Sequence, residues 1–220
     1  MTLLWLVSEY GLEGCDMALA NYSDLQTSIG AWLNRTDLTA VIPDFIALAE
    51  AQHKKDLRLR MQISTTTLST VAGVSSVALP ADFLELENLS VLTSPTQQLT
   101  YATIEQLDGV YPGNNLTGVP SLYTIEAGLI LLGPTPDAVY SISCLYYANF
   151  PSLSSSSTNL LLTNYPAIYL YSSLVQACLY LKDSQRAAEY KAMYEGEVAS
   201  LQVSDDRAQH SGSTLRVRTL

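Results

Sequence analysis

From residue 61 to residue 181 the chain has no lysine and no arginine. Over all 220 residues, 11 basic side chains stand against 21 acidic ones, a formal net charge of -10. A protein that grips nucleic acid by its phosphates needs a basic face, so that class is excluded. An anionic membrane surface would repel the chain as well. Cysteine is scarce: Cys15, Cys144 and Cys178 are widely spaced and make no C-x-x-C pair. That argues against a disulfide framework or a zinc site and fits synthesis in a reducing cytoplasm. Histidine occurs twice, at His53 and His210, so any Ser–His–acid centre has to use one of them. No P-loop, G-x-G-x-x-G, H-E-x-x-H or G-x-S-x-G pattern occurs, and no metal or cofactor is expected. The uncharged helical run from Tyr165 to Leu181 has 17 residues, short of the ~20 that cross a bilayer, and it carries Ser172, Ser173 and Gln176. No membrane partner is expected.

What is present is apolar. Hydrophobic residues make up 48% of the chain, enough to build a core in one large domain or two small ones, and they exclude intrinsic disorder. Charged residues are only 15%, a thin coat for a free monomer, which points to surface buried against partners. Tyrosine is abundant, with 14 copies, and suits wet contact surfaces. The N-terminal run from Met1 to Val7 has no basic region and no small-residue cleavage site, so it does not read as a signal peptide. Glu13-Gly14 must be encoded by a sequence resembling a ribosome-binding site, and Met17 follows closely. Residues 1–16 are therefore either an N-terminal extension or upstream DNA read in frame, with Met17 as the native start.

Periodicity lays out the elements. Ser23-x-x-Gln26 reads as a capping box, followed by Leu25, Ile29, Trp32 and Leu33 on one helical face. Pro43 opens a second helix with the stripe Phe45, Ile46, Ala49, His53 and Leu57, and Lys54, Lys55, Arg58 and Arg60 gather at its C-terminal end. From Ile63 the texture turns to Thr, Ser and Val. A hairpin is expected from 63–71 and 77–79 around Gly73, then a strand at 84–92 and a short helix capped by Thr103 with Gln106 at the box position. The stretches 122–126 and 129–132 form a tight hairpin around Ala127-Gly128, and 139–148 alternates with period two. Pro151 to Thr158 reads as a loop. Asn164 is expected to cap a helix apolar almost all round, and Asp183 to cap the last one, with Ala187, Tyr190, Tyr194 and Val198 at helical spacing.

The fold class is α+β: a helical bundle from the N- and C-terminal helices with an inserted antiparallel β-rich domain. The expected boundaries are 17–61 for the N-terminal helices, 62–150 for the insert, 151–163 for a linker, 164–212 for the C-terminal helices and 213–220 for an extended tail. Charge follows this division. The seven acids between 61 and 181 have no bases beside them, whereas 17–60 holds five of each sign and 182–220 six of each. Asp82, Glu85 and Glu87 are the candidates for an acidic surface on the insert, where adhesion to a polyanion would be harmful. The modest acidic surface of any β domain is the alternative. Glu85 and Glu87 share a strand face and could do acid–base work, but no second motif supports it. In the tail, Leu215-Arg216-Val217-Arg218 alternates like a strand that adds to a partner's sheet, or else frays.

Several blocks together resemble bacteriophage head-to-tail adaptor (connector) proteins of short-tailed phages. They are Trp32-Leu33-Asn34-Arg35-x-Asp37-Leu38, Ile42-Pro43-x-Phe45-Ile46-x-Leu48-Ala49-Glu50-Ala51, Val77-Ala78-Leu79-Pro80-Ala81-Asp82-Phe83, Gly118-x-Pro120-x-x-Tyr123 and Thr163-Asn164-x-Pro166-x-x-Tyr169-Leu170-Tyr171. The resemblance runs over roughly residues 20–200. It implies a homo-oligomeric ring, commonly of twelve copies, bound under the portal at the head–tail junction of the virion. Such a ring extends the channel through which DNA passes unread and docks a tail or nozzle protein. By this resemblance the segment with Leu215, Arg216, Val217 and Arg218 reaches the portal. Trp32, Tyr169, Tyr171, Leu174 and Cys178 are expected at protomer interfaces, and Asp82, Glu85 and Glu87 along the channel. The basic cluster Lys54, Lys55, Arg58 and Arg60 would meet an acidic portal surface. Such a protein is not an enzyme. The alternatives are another virion assembly component, such as a tail-completion or decoration protein, and a small hydrolase using the acidic insert.

Overall fold

A computed structural model describes residues 19–210. Helix α1 (Tyr22–Leu33) starts on Asn21, whose side chain accepts a hydrogen bond from the Asp24 amide at 3.0 Å. The capping box expected at Ser23 is not the start, because Ser23 already lies inside the helix and Asn21 satisfies the first free amides. Asn34 ends α1 in the left-handed conformation (φ 51°), which asparagine tolerates. Helix α2 (Ile42–Asp56) carries Pro43 in its first turn and buries Ile42, Phe45, Ile46, Ala49 and His53.

The β-rich region contributes ten strands: β1 (Ile63–Ser69), β2 (Ser76–Ala78), β3 (Phe83–Val91), β4 (Gln97–Gln98), β5 (Thr100–Tyr101), β6 (Thr117–Gly118), β7 (Leu122–Glu126), β8 (Leu129–Gly133), β9 (Thr135–Pro136) and β10 (Ser141–Ala148). Helix α3 (Ile104–Val110) sits between β5 and β6 on the expected Thr103–Gln106 capping box. One sheet has the order β1-β10-β3-β4 and is antiparallel throughout. A second has the order β2-β8-β7-β5, with β5 parallel to β7, and β6 pairs with β9 in parallel.

The hairpin expected around Gly73 does not form. β1 pairs with β10, 141 to 148, and β2 pairs with β8, so the two stretches belong to different sheets. Only the Val71–Val74 bridge closes locally around Gly73. Long-range pairing with the alternating Ile142, Cys144 and Tyr146 face offers more apolar burial than the local turn does. The β7–β8 hairpin forms as expected, with Glu126 opposite Leu129 and positive φ at both Ala127 (50°) and Gly128 (77°). Leu89, Val91, Ile142, Cys144 and Tyr146 of the first sheet face Val77, Ile130 and Leu132 of the second across one hydrophobic cluster.

Four further helices complete the described residues: α4 (Leu153–Ser156), α5 (Leu160–Asn164), α6 (Pro166–Tyr180) and α7 (Ser184–His210). They join α1 and α2 around a second, separate cluster. The stretch 151–163, expected as a linker, is tied into this core. Leu153, Leu161 and Leu162 are buried there, Asn159 caps α5 on the Leu162 amide at 2.9 Å, and the Leu153 amide donates to Glu50 Oε1 at 2.7 Å. Asn164 lies inside α5 and is not the cap of α6, which starts on Tyr165 and Pro166 without a side-chain cap. Asp183 caps α7 through the Arg186 amide at 3.1 Å. Along α7 the residues Ala187, Tyr194 and Leu201 are buried and Tyr190 and Val198 partly so, a repeat of three and four residues that lays one seam against α6.

Candidate assembly surfaces

Helix α6 is apolar on nearly every side because its own chain surrounds it. Tyr169, Leu174 and Cys178, expected at contacts between copies, are 1%, 0% and 1% exposed within the helical core. They have no surface to offer a neighbour, and the all-round apolar pattern marks the central helix of a bundle. Trp32 and Tyr171 stay accessible. Trp32 is 38% exposed and meets Tyr171 and Tyr190 edge-on, with ring centroids at 6.1 and 6.2 Å. A rigid aromatic group held half in water is the composition of a contact surface. Sequence reasoning missed Leu48, Leu179 and Tyr180, which are also exposed on α2 and α6. The Tyr180 ring lies 5.4 Å from that of Phe45. The signal was available for Leu48, which sits off the apolar stripe of α2.

The basic and acidic candidates converge. Lys54 and Lys55 are exposed at the end of α2, where Arg58 follows and donates to Glu85 at 2.9 Å, pairing one candidate base with one candidate acid. The Arg60 amide donates to Asp205 of α7 at 3.0 Å. Register shifts in the β10–β3 pairing fall at Leu145/Tyr146 and Tyr147/Ala148, leaving Leu84 and Glu87 as extra residues. Glu85 and Glu87 thus both stay exposed, beside Tyr147 on the outer face of the sheet. Burial first, then Glu87, Glu85 and Asp205, push the Tyr147 hydroxyl above its ordinary pKa. Asp82 accepts from the Tyr146 hydroxyl at 2.9 Å. Of the three acids, Glu85 meets Arg58 at the junction between the β-rich region and the helices and Glu87 lies near the same Tyr147, whereas Asp82 is engaged by Tyr146.

His53 is buried in the bundle, as its place on the stripe of α2 implied. Its Nε2 lies 2.9 Å from Ser172 Oγ, and its ring meets Tyr169 edge-on at 4.7 Å and stacks on Tyr194 at 6.0 Å. A serine beside a histidine invites a nucleophile–base reading, but the serine proton goes to the Ile168 carbonyl at 2.7 Å. His53 Nε2 is then the donor, and its Nδ1 is left buried without a hydrogen-bond partner among the described residues. Burial drives the imidazole pKa down to about 4, against a weaker opposing pull from Asp56. The pair is a packing contact with no route to a substrate. Burial likewise pushes the Cys144 thiol up to about 11 and raises Tyr169, so neither is activated.

Two shallow grooves open on the helices. One of about 530 Å³ lies between α1 and the turn after it, lined by Gln26, Thr27, Asn34 and Arg35. The other, about 360 Å³, lies between α2 and α7, where Asp56 accepts from Tyr194 at 3.0 Å. Among the described residues, no three His, Cys, Asp or Glu side chains come together, and no helix is long and apolar enough to cross a membrane. Residues 1–16 and the candidates Leu215, Arg216, Val217 and Arg218 lie outside the described residues, as does the side chain of His210.

No curated protein matches the chain. A family model does match, described as the SU10 adaptor protein. That match spans residues 20–218, and the chain belongs to this family of phage adaptor proteins.

Proposed function

We propose that this phage adaptor forms a homo-oligomeric ring of twelve copies beneath the portal, at the head–tail junction of the virion. The ring extends the DNA channel and presents a platform to a tail or nozzle protein. The observation that carries the reading is family membership over nearly the whole chain, from residue 20 to residue 218. The chain acts by assembly and makes or breaks no bonds. In this reading residues 17–61 and 151–212 form the body of the ring, 62–150 form the insert, and Leu215 to Arg218 reach the portal.

Physical chemistry supports the assignment of faces. Trp32, with Tyr171 and Tyr190 behind it, is the aromatic anchor between copies. A region of the chain with seven acids and no bases suits the wall of a channel, because DNA slides past it without adhering. Lys54 and Lys55, which among the described residues form no ion pair like that of Arg58 with Glu85, face an acidic partner.

Cryo-electron microscopy of the capsid vertex tests the placement. Twelve copies under the portal are expected, and finding the chain on the capsid shell or at the tail tip would sink the proposal. Native mass of the protein mixed with portal tests the ring. Trp32→Ala is expected to weaken assembly while leaving the protomer folded.

A further inference from the structure

The groove between α2 and α7, about 360 Å³, combines apolar surface from Val198 and Ala199 with the carboxylates of Asp56 and Glu195, and no basic side chain lines it. Asp56 Oδ2 accepts from the Tyr194 hydroxyl at 3.0 Å and from Gln52 Nε2 at 3.2 Å, while its Oδ1 accepts from no group among the described residues. Glu195 pairs with Lys191 at 3.6 Å, and both side chains are more than half exposed. Such a pair holds its carboxylate weakly. A groove of this size sits at the lower end of ligand clefts, roughly 300–1,000 Å³, and takes one large side chain.

We infer that Trp32 of one copy enters the α2–α7 groove of the next copy. Its ring covers Val198 and Ala199, and its Nε1–H donates to Asp56 Oδ1. Three observations carry the inference. First, Trp32 stands half in water against Tyr171 and Tyr190, and its Nε1–H has no acceptor among the described residues. Second, the edge of an indole is electropositive and carries that N–H, so a groove with two carboxylates and no base attracts it edge-on. Third, knob and groove lie on different flanks of α7. Tyr190 meets Trp32 of α1, whereas Tyr194 turns to Asp56 of α2. At about 100° per residue, Glu195 and Ala199 stand roughly 140° and 180° round the helix axis from Tyr190. Trp32 is therefore held away from the groove of its own copy. A knob on one flank and a groove on another make a heterologous contact, the kind that closes into rings and not into two-fold dimers.

This contact rests on the proposed ring and names the surface that receives its aromatic anchor. The full chain mixed with portal tests it. A photoreactive aromatic, benzoylphenylalanine, in place of Trp32 keeps a ring at that position and cross-links to what it touches. In a mixture with isotope-labelled wild type, cross-links are expected to join position 32 to labelled residues 52–56 or 194–202. Cross-links to portal, or to any other surface of a labelled copy, overturn the inference. Ala199→Trp fills the groove from an exposed position of α7, so the protomer stays folded. It is expected to raise the concentration for half assembly at least about tenfold, as the loss of a hot spot does. Trp32→Ala combined with Ala199→Trp should lose no more than the worse single variant, because both act on one contact. Losses that multiply, or an Ala199→Trp ring that forms as readily as that of the wild type, overturn the inference and leave the ring itself standing. A wild type that stays monomeric with portal overturns the ring and this contact with it.

Discussion

Arg58 Nε lies 2.9 Å from a carboxylate oxygen of Glu85, across 27 residues of sequence and across the boundary between helices and sheet. Both side chains are substantially exposed, so the pair gains little against water and salt. A double-mutant cycle with Arg58→Ala and Glu85→Ala is expected to return a coupling below about 1 kcal/mol, shrinking further at high salt. A coupling of several kcal/mol would mean that the junction is held electrostatically and not by packing.

Asn159 does more for the fold than any surface charge. It caps α5 on the Leu162 amide, and its Nδ2 donates to the Pro151 carbonyl at 2.9 Å and to the Tyr169 hydroxyl at 2.7 Å. Asn159→Ala removes all three bonds and strands buried partners, at an expected cost of about 2–4 kcal/mol in denaturant unfolding. Tyr169→Phe removes one of them and should cost less than Asn159→Ala.

The pH dependence of stability follows from His53. Its folded pKa, about 4, lies below the ordinary 6.5, so between those values the unfolded chain binds the extra proton. The contribution is fully present above pH 6.5 and is lost as pH falls toward 4, on the order of 3 kcal/mol in all. Glu50, raised chiefly by burial, contributes with the opposite sign near its own range, so the test compares variant with wild type. His53→Gln keeps a donor for Ser172 and does not titrate. Its melting temperature should fall less steeply than that of the wild type between pH 6.5 and 4, and parallel curves would contradict the assignment.

Ala127 occupies the left-handed region (φ 50°) at the first position of the β7–β8 turn, where an alanine Cβ costs about 1 kcal/mol. Ala127→Asn supplies the residue that this turn type favours. A melting temperature higher by roughly 2–4 °C is expected for a chain of this size. A decrease would show that the side chain meets something at that turn.

Much of the fold was legible where a local rule decided it. Thr103 and Gln106 met as a capping box, Asp183 capped α7, and Ala127-Gly128 turned the hairpin. The rest depended on partners distant in sequence. Nothing between Ile63 and Leu79 says that β1 will choose β10 over its neighbour β2, because either pairing satisfies the same alternation. The same holds for the candidate surfaces. The apolar circumference of α6 was visible, but whether it met a second copy or its own chain was set by α1, α2, α5 and α7 closing around it. Arg58 and Glu85 were each conspicuous as charges, while their meeting was a property of the assembled junction.

The β-rich region leaves the helices at Ile63 and returns at Ala148, next to Tyr147, the residue paired opposite Ile63. Both passages of the chain thus lie side by side, on the neighbouring strands β1 and β10 of one sheet. A different β unit whose ends sit one strand spacing apart could be grafted there without rethreading the bundle. That gives a phage lineage a simple route to exchange what the insert touches while keeping the helices that carry it.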